Sequence, residues 1–151
     1  MPTECGTVFR KKKSSSQDSE IVNLLKNAGA IVMGKTVTCE LAYIHPSKTR
    51  NPHDYSRTPG GSSSGSAAVV ASYMSHLSIG SQTGGSVIRP ASYCGVVGYK
   101  PSYGLISRSG VLKVSDKLDT IGVFGRSVKD VAFLAKSLIR KDLYDASTIY
   151  F

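Results

Sequence analysis

Between Gly60 and Met74 the chain reads Gly-Gly-Ser-Ser-Ser-Gly-Ser-Ala-Ala-Val-Val-Ala-Ser-Tyr-Met, and nearly every side chain in the run is small. Small residues let a helix approach neighbouring backbone closely and leave it no polar face to turn to water, so Ser66–Met74 predicts a tightly packed, buried helix. Such a helix needs layers around it, and the flanking sequence supplies them. Leu77-Ser78-Ile79 reads as a short strand before the polar run Gly80–Ser86, and Val96–Tyr99 and Ile121–Phe124 read as further strands. Ser127–Ile139 predicts a helix capped by Ser127, with Val128, Val131, Ala132, Leu134, Ala135 and Leu138 on its apolar face.

Upstream, a helix is expected from Asp18 or Ser19, either of which could cap it, through Ile21, Val22, Leu24, Leu25 and Ala28 to a stop at Gly29. Ala30–Met33, bounded by Gly34, then predicts a buried strand. Helix and strand separated by a single glycine point to an α/β layer. A helical turn is expected at Thr38–Tyr43, followed by a loop over His45–Gly61, punctuated by Pro46, Pro52 and Pro59 and long enough to suggest a functional role.

Composition narrows the functional classes. A chain of 151 residues, 40% hydrophobic and 19% charged, has the length and balance of one soluble globular domain. No apolar run approaches the ~20 residues of a membrane-spanning helix. The start, Met1-Pro2-Thr3-Glu4-Cys5, has no signal-peptide pattern, so a cytoplasmic location is expected. Cys5, Cys39 and Cys94 are too few and scattered for a disulfide framework, and none has metal-ligand spacing with His45, His53 or His76. The net charge of +9 owes much to Arg10–Lys13 and to Lys136, Arg140 and Lys141 near the ends. No aromatics interleave these residues as a base-stacking surface requires, so solvated ends are favoured over a nucleic-acid site.

The chemistry lies in the glycine–serine clusters Gly60–Ser66 and Thr83-Gly84-Gly85-Ser86. Each abuts an apolar element, which argues against a flexible linker. Neither has the Gly-Lys-Ser/Thr ending of a P-loop or the Gly-x-Gly-x-x-Gly of a dinucleotide site. Thr83–Ser86 suits an oxyanion hole with its nucleophile attached: consecutive glycines free the backbone to aim successive N–H groups at one point, with a serine beside it. A serine hydroxyl is a poor nucleophile without a base.

Three stretches in order, Gly60–Ala68, Thr83–Ala91 and Cys94–Pro101, resemble the amidase signature family, and the resemblance runs from about Asp18 to Ile139. Gly34-Lys35-Thr36, Thr49–Pro52 and Leu118–Gly122 resemble further family segments. The resemblance implies an α/β fold with a mixed β-sheet flanked by helices on both faces. It implies hydrolysis of non-peptide carbon–nitrogen amide bonds by a Ser–cis-Ser–Lys triad, on a small-molecule amide, with no metal or organic cofactor. By motif position Ser86 is the nucleophile, Ser62 the bridging serine in a cis peptide, and the N–H groups of Thr83, Gly84, Gly85 and Ser86 the oxyanion hole. Arg89 takes a structural or substrate-orienting role, and Cys94 is buried packing.

In the family the triad lysine lies in a Val-Lys-Asp-Asn-like segment upstream of the match to Gly34-Lys35-Thr36, and Lys35 and Lys100 match non-catalytic positions. The chain is therefore expected to be a fragment, the missing segment of a larger amidase or a homo-oligomer, with little activity alone; an inactive pseudoenzyme is the alternative and a basic nucleic-acid module a weaker one. Its expected organisation is an irregular basic segment over 1–17, a core over 18–143 and an unassigned tail over 144–151.

Overall fold

Thr120–Gly125 carries apolar residues at successive positions and is buried along its whole length, as a strand covered on both faces must be. In the computed structural model, which describes residues 1–149, this strand is the centre of a three-stranded sheet. The strands are β1 (Leu77–Gln82), β2 (Val97–Tyr99) and β3 (Thr120–Gly125), ordered β1-β3-β2. Both ladders are antiparallel, with Gly80 opposite Gly122 and Gly98 opposite Phe124. The parallel pairs of a mixed sheet are not among the described residues.

Four helices cover the sheet: α1 (Glu20–Asn27), α2 (Ser64–Ala71), α3 (Ile88–Tyr93) and α4 (Val128–Leu138). Alternation along β3 sorts them. Ile121 and Val123 pack with Ile21 and Leu24 of α1 and with Val131, Leu134, Ala135 and Leu138 of α4. Phe124 faces the other way, into Ala67, Val70 and Ala71 of α2 and Ala91 of α3. The fold is therefore α/β with helices on both faces. Gly122 lets α3 approach the sheet closely: a Cβ there would stand 2.7 Å from Val87.

Local signals place most elements. Ser127 caps α4 by accepting from the Asp130 N–H at 3.1 Å. Ser19 is the N-cap of α1 by position, although its side chain makes no capping bond. Gly29, at φ +82°, closes α1 with its N–H on the Lys26 carbonyl while Ala30 donates to Leu25, a Schellman motif. The small-residue helix lies slightly earlier than predicted, at Ser64–Ala71, and is buried nearly all round. It stops early because Tyr73 adopts φ +61° and its N–H and that of Met74 return to Val70 and Val69. The turn expected at Thr38–Tyr43 is a 3-10 turn, Glu40–Ala42. Helix α3 was read in the sequence only as part of a signature stretch.

Two expectations fail: Val128 and Ala132 are exposed and do not join the buried face of α4, and the strand expected after α1 does not form. Ala30–Met33 is neither buried nor paired: Ile31 is 88% and Met33 78% exposed. Its apolarity demands burial, but no described strand lies beside it.

The N-terminal 1–17 stretch holds a 3-10 turn at Val8–Arg10 and is closed on itself by a Pro2–Ser14 bridge and a Thr3 N–H bond to the Lys13 carbonyl. Within the tail, Asp145 accepts from the buried Arg108 side chain and backbone, and Thr148 from the Asp142 N–H; residues 150 and 151 lie outside the described part. Burial alone would raise the Asp145 carboxyl, but its bonds from Arg108 and Ser147 outweigh that and hold it well below the usual carboxylate range. No described helix is long and apolar enough to cross a membrane.

Candidate active site

The first glycine–serine cluster turns the chain into α2. Gly60 has φ +77° and lies against Pro90, and a Cβ on Gly61 would stand 2.5 Å from Cys39 Sγ. The Gly61–Ser62 peptide is cis. Its surroundings grip it from two sides. Arg89 donates Nε (3.1 Å) and Nη2 (2.9 Å) to the Gly61 carbonyl. The Ser62 carbonyl accepts from Thr38 Oγ1 (3.0 Å) and from the Cys39 N–H (2.9 Å). Ser62 itself is buried, at 1% exposure, and its hydroxyl has no hydrogen-bond partner among the described residues.

The second cluster lies between β1 and α3. Gln82, at the end of β1, is buried and its Oε1 accepts from the N–H groups of Val87 (2.8 Å) and Ile88 (3.0 Å), reversing the chain from strand to helix. Within that reversal the N–H groups of Thr83, Gly84, Gly85 and Ser86 donate to no described residue. The physical reason for the glycines differs from the one inferred from sequence. Neither Gly84 nor Gly85 has positive φ, and a Cβ on Gly84 would meet nothing within 4 Å. Positive φ therefore does not explain Gly84, whose Cβ position faces open space.

The two clusters meet through backbone: the Ser63 N–H donates to the Ser86 carbonyl at 3.2 Å. Ser63 Oγ also donates to the Ser81 carbonyl and accepts the Ser81 N–H, both at 3.2 Å, which ties the start of α2 to β1. Ser62 and Ser86 thus lie on adjoining turns, with no direct hydrogen bond between their hydroxyls among the described residues. Arg89, whose role the sequence left open, spends its guanidinium on the Gly61 carbonyl. Lys35 Nζ donates to Thr3 Oγ1 (2.7 Å) and Lys100 Nζ to the Pro101 carbonyl (2.6 Å), so neither serine hydroxyl has either lysine as partner.

Several supporting residues were not foreseen. Thr83 Oγ1 donates to Asp119 Oδ1 at 2.6 Å, and Asp119 Oδ2 accepts the N–H groups of Val114 and Ser115. Burial raises the Asp119 carboxyl, but the bond from Thr83 and those from the two amides outweigh it and hold it below its ordinary value. Asp119 therefore stays an anion behind the Thr83–Ser86 turn. Gln82 carried one usable signal, a polar residue closing a strand directly before Thr83–Ser86, and Asp119 lies in the Leu118–Gly122 segment that resembles the family; Thr38 and Cys39 were marked only as part of an expected turn. Burial pushes the Cys94 thiol up to about 11, which suits packing and not nucleophilic chemistry. No group of three or more His, Cys, Asp or Glu among the described residues could hold a metal ion.

This arrangement offers a partly buried hydroxyl, a second one on the adjoining turn, and four unengaged N–H groups. A family model described as Amidase matches residues 1–150. A glutamyl-tRNA(Gln) amidotransferase subunit of Gloeothece citriformis is 44% identical over 99% of this chain and 32% of its own length. The crystal structure of the same-named subunit from Thermotoga maritima superposes on all of this chain and 35% of its own, at TM-score 0.95 and 43% identity. The native peptide amidase of Stenotrophomonas maltophilia matches 98% of the chain at TM-score 0.92 and 36% identity, with 32% of its own length covered. The chain spans about a third of the length of these relatives.

Proposed function

Because the chain belongs to the Amidase family, we propose that it supplies the nucleophile and oxyanion-binding part of an enzyme that cleaves carbon–nitrogen amide bonds. Ser86 Oγ attacks the amide carbonyl carbon. The N–H groups of Thr83–Ser86 receive the negative charge on its oxygen, and Ser62 relays the Ser86 proton towards a base. Return of that proton from the base to the nitrogen lets the intermediate collapse, expelling ammonia or an amine and leaving an acyl-Ser86 ester that water hydrolyses. The observation that carries the reading is the Ser63 N–H bond to the Ser86 carbonyl, which sets the turn of Ser62 against a nucleophile turn with unused donors.

The base lies outside this chain. Lys35 and Lys100 are engaged elsewhere, which supports a chain that is inactive alone and works with the rest of an amidase fold. The names of the relatives, one a peptide amidase and the other part of an amidotransferase, favour a small carboxamide as substrate. A cytoplasmic location belongs to the same proposal.

The test assays aryl and aliphatic carboxamides with this chain and its Ser86→Ala variant. Each is used alone and grafted into the Thermotoga maritima subunit in place of the matching third. The grafted protein should turn over roughly 10³-fold or more above its Ser86→Ala form, by analogy with loss of a serine-triad member. The isolated chain should not exceed its own control. Activity that survives Ser86→Ala in the graft refutes the site. Activity of the isolated chain that vanishes with Lys35→Ala shows that the base is internal.

A further inference from the structure

We propose that the loop over residues 7–13 is a docking prong for a bilayer surface rich in anionic lipid. Its tip joins two exposed apolar side chains to a run of cations. Val8 is 77% and Phe9 83% exposed, and no residue of the Val8–Arg10 turn is buried. Arg10, Lys11, Lys12 and Lys13 follow in sequence, all of them exposed. The side chains of Lys11, Lys12 and Lys13 make no ion pair or hydrogen bond with any described residue, so nothing described neutralises them.

The prong is tied at its base and across its width. The Thr3 N–H donates to the Lys13 carbonyl at 2.6 Å, and Pro2 bridges Ser14. The Lys12 N–H donates to Glu4 Oε1 (2.8 Å) and Arg10 Nε to the Thr3 carbonyl (3.3 Å). Beneath it, the Leu41 N–H donates to the Cys5 carbonyl (2.8 Å), and Lys35 Nζ reaches Thr3 Oγ1 (2.7 Å) and adds a further cation. Gly6, at φ +69°, passes so close to Thr38 that a Cβ would stand 2.7 Å from its carbonyl oxygen. A loop held in this way presents its tip with little further ordering to lose on binding.

Charge and apolarity together select the occupant. Further polypeptide of the amidase fold packed over the tip would desolvate Lys11, Lys12 and Lys13 without compensating charge from this chain, and lysine is depleted from the centres of protein interfaces. A second copy is repelled, since each carries +9. A nucleic acid would meet the charge, but Val8 and Phe9 precede the cations instead of alternating with them, and aliphatic Val8 offers no ring for a base to stack on. A bilayer surface accepts both parts: the apolar tip enters the headgroup boundary while the cations stay level with the acidic headgroups. The contact is peripheral, because no described helix is long and apolar enough to cross a membrane. The inference is independent of the chemistry of Ser86.

The experiment measures co-sedimentation of this chain with vesicles of three parts phosphatidylcholine to one part phosphatidylserine, beside vesicles of phosphatidylcholine alone. Binding to the anionic vesicles should be at least tenfold tighter, since each cation near such a surface contributes roughly fivefold. It should weaken as salt rises from about 0.1 M to 1 M and the Debye length shrinks from about 10 to 3 Å. Replacing Lys11, Lys12 and Lys13 together by glutamine should reduce binding at least tenfold, by the same roughly fivefold per cation. Phe9→Ser should weaken it at least about threefold while keeping the salt dependence. Circular dichroism and melting temperature should be unchanged in both variants, because these side chains touch no described residue. The control replaces Lys117, Lys129 and Lys136 by glutamine, which removes the same number of exposed charges elsewhere and should leave binding within about twofold. Equal binding to the two kinds of vesicle overturns the proposal, and so does an equal loss in the control. Tighter binding to a single-stranded oligonucleotide than to anionic vesicles, with Phe9→Ser weakening only the former, overturns it in favour of a nucleic-acid surface.

Discussion

The wall behind Ser62 can be tested by a cycle of two small substitutions. In Gly61→Ala the new methyl would stand 2.5 Å from the sulfur of Cys39, a residue 4% exposed. Optimal non-bonded carbon separations are about 3.5–4.0 Å, so roughly 1 Å of displacement is required. Cys39 cannot move freely, because its N–H donates to Ser62 and its carbonyl accepts from Ala42. Overpacking of this kind costs about 1–3 kcal/mol. Gly61 does not have positive φ, so alanine introduces no backbone penalty that would confuse the steric one. Cys39→Ala alone should cost roughly 1 kcal/mol for the lost sulfur packing. In the double variant the methyl enters the space the sulfur left, and the total should fall about 1–2 kcal/mol short of the sum. Any effect of Gly61→Ala on the unfolded chain is common to both arms and cancels. Urea titrations followed by far-ultraviolet circular dichroism measure all four species. Additivity within about 0.5 kcal/mol would show that Cys39 does not form this wall.

Asp145→Ala leaves the buried Arg108 guanidinium without its carboxylate and should destabilise by about 3–5 kcal/mol, lowering the melting temperature by roughly 10 °C. A loss under about 1 kcal/mol would show that the pair contributes little. The folded-state carboxyls of Asp119, Asp142 and Asp145 are all lowered, so their stabilisation is present above the ordinary carboxylate value and lost as pH falls below about 4. Urea midpoints from neutral pH down to about 3 should fall less steeply in Asp145→Asn than in the parent, and an unchanged slope would remove Asp145 from the account. Gly84→Ala places its methyl where no protein atom lies within 4 Å, so stability should stay within about 0.5 kcal/mol. In the grafted enzyme the same methyl should reduce carboxamide turnover at least tenfold, as expected when a reacting group is displaced by about 1 Å; undiminished turnover would mean that the open side of Gly84 is not where the substrate carbonyl sits.

What the amino-acid order determined by itself was local. Apolar runs placed β1, β2 and β3, the stripe of Val131, Leu134 and Leu138 placed α4 with its Ser127 cap, and Gly29 marked the end of α1. These features depend on sterics and hydrogen bonds within a turn or two, which nearby residues fully specify. Motif order likewise drew attention to Ser62, Ser86 and Thr83–Ser86 as one site. Tertiary structure decided what each of these residues touches. Thr83 and Asp119 are 36 positions apart and are joined by the β1–β3 ladder, where Gln82 pairs with Thr120, while Arg89 and Gly61 are 28 apart and are joined by packing of α2 and α3 on one face of the sheet. The same holds for the glycines: Gly61 is needed for its closeness to Cys39, while Gly84 faces open space, a difference that two identical letters cannot carry. Ile31 and Met33 show the limit from the other side. Their apolarity states that burial is favourable, but burial is a property of a pair of surfaces, and the second surface is not encoded in the run that needs it.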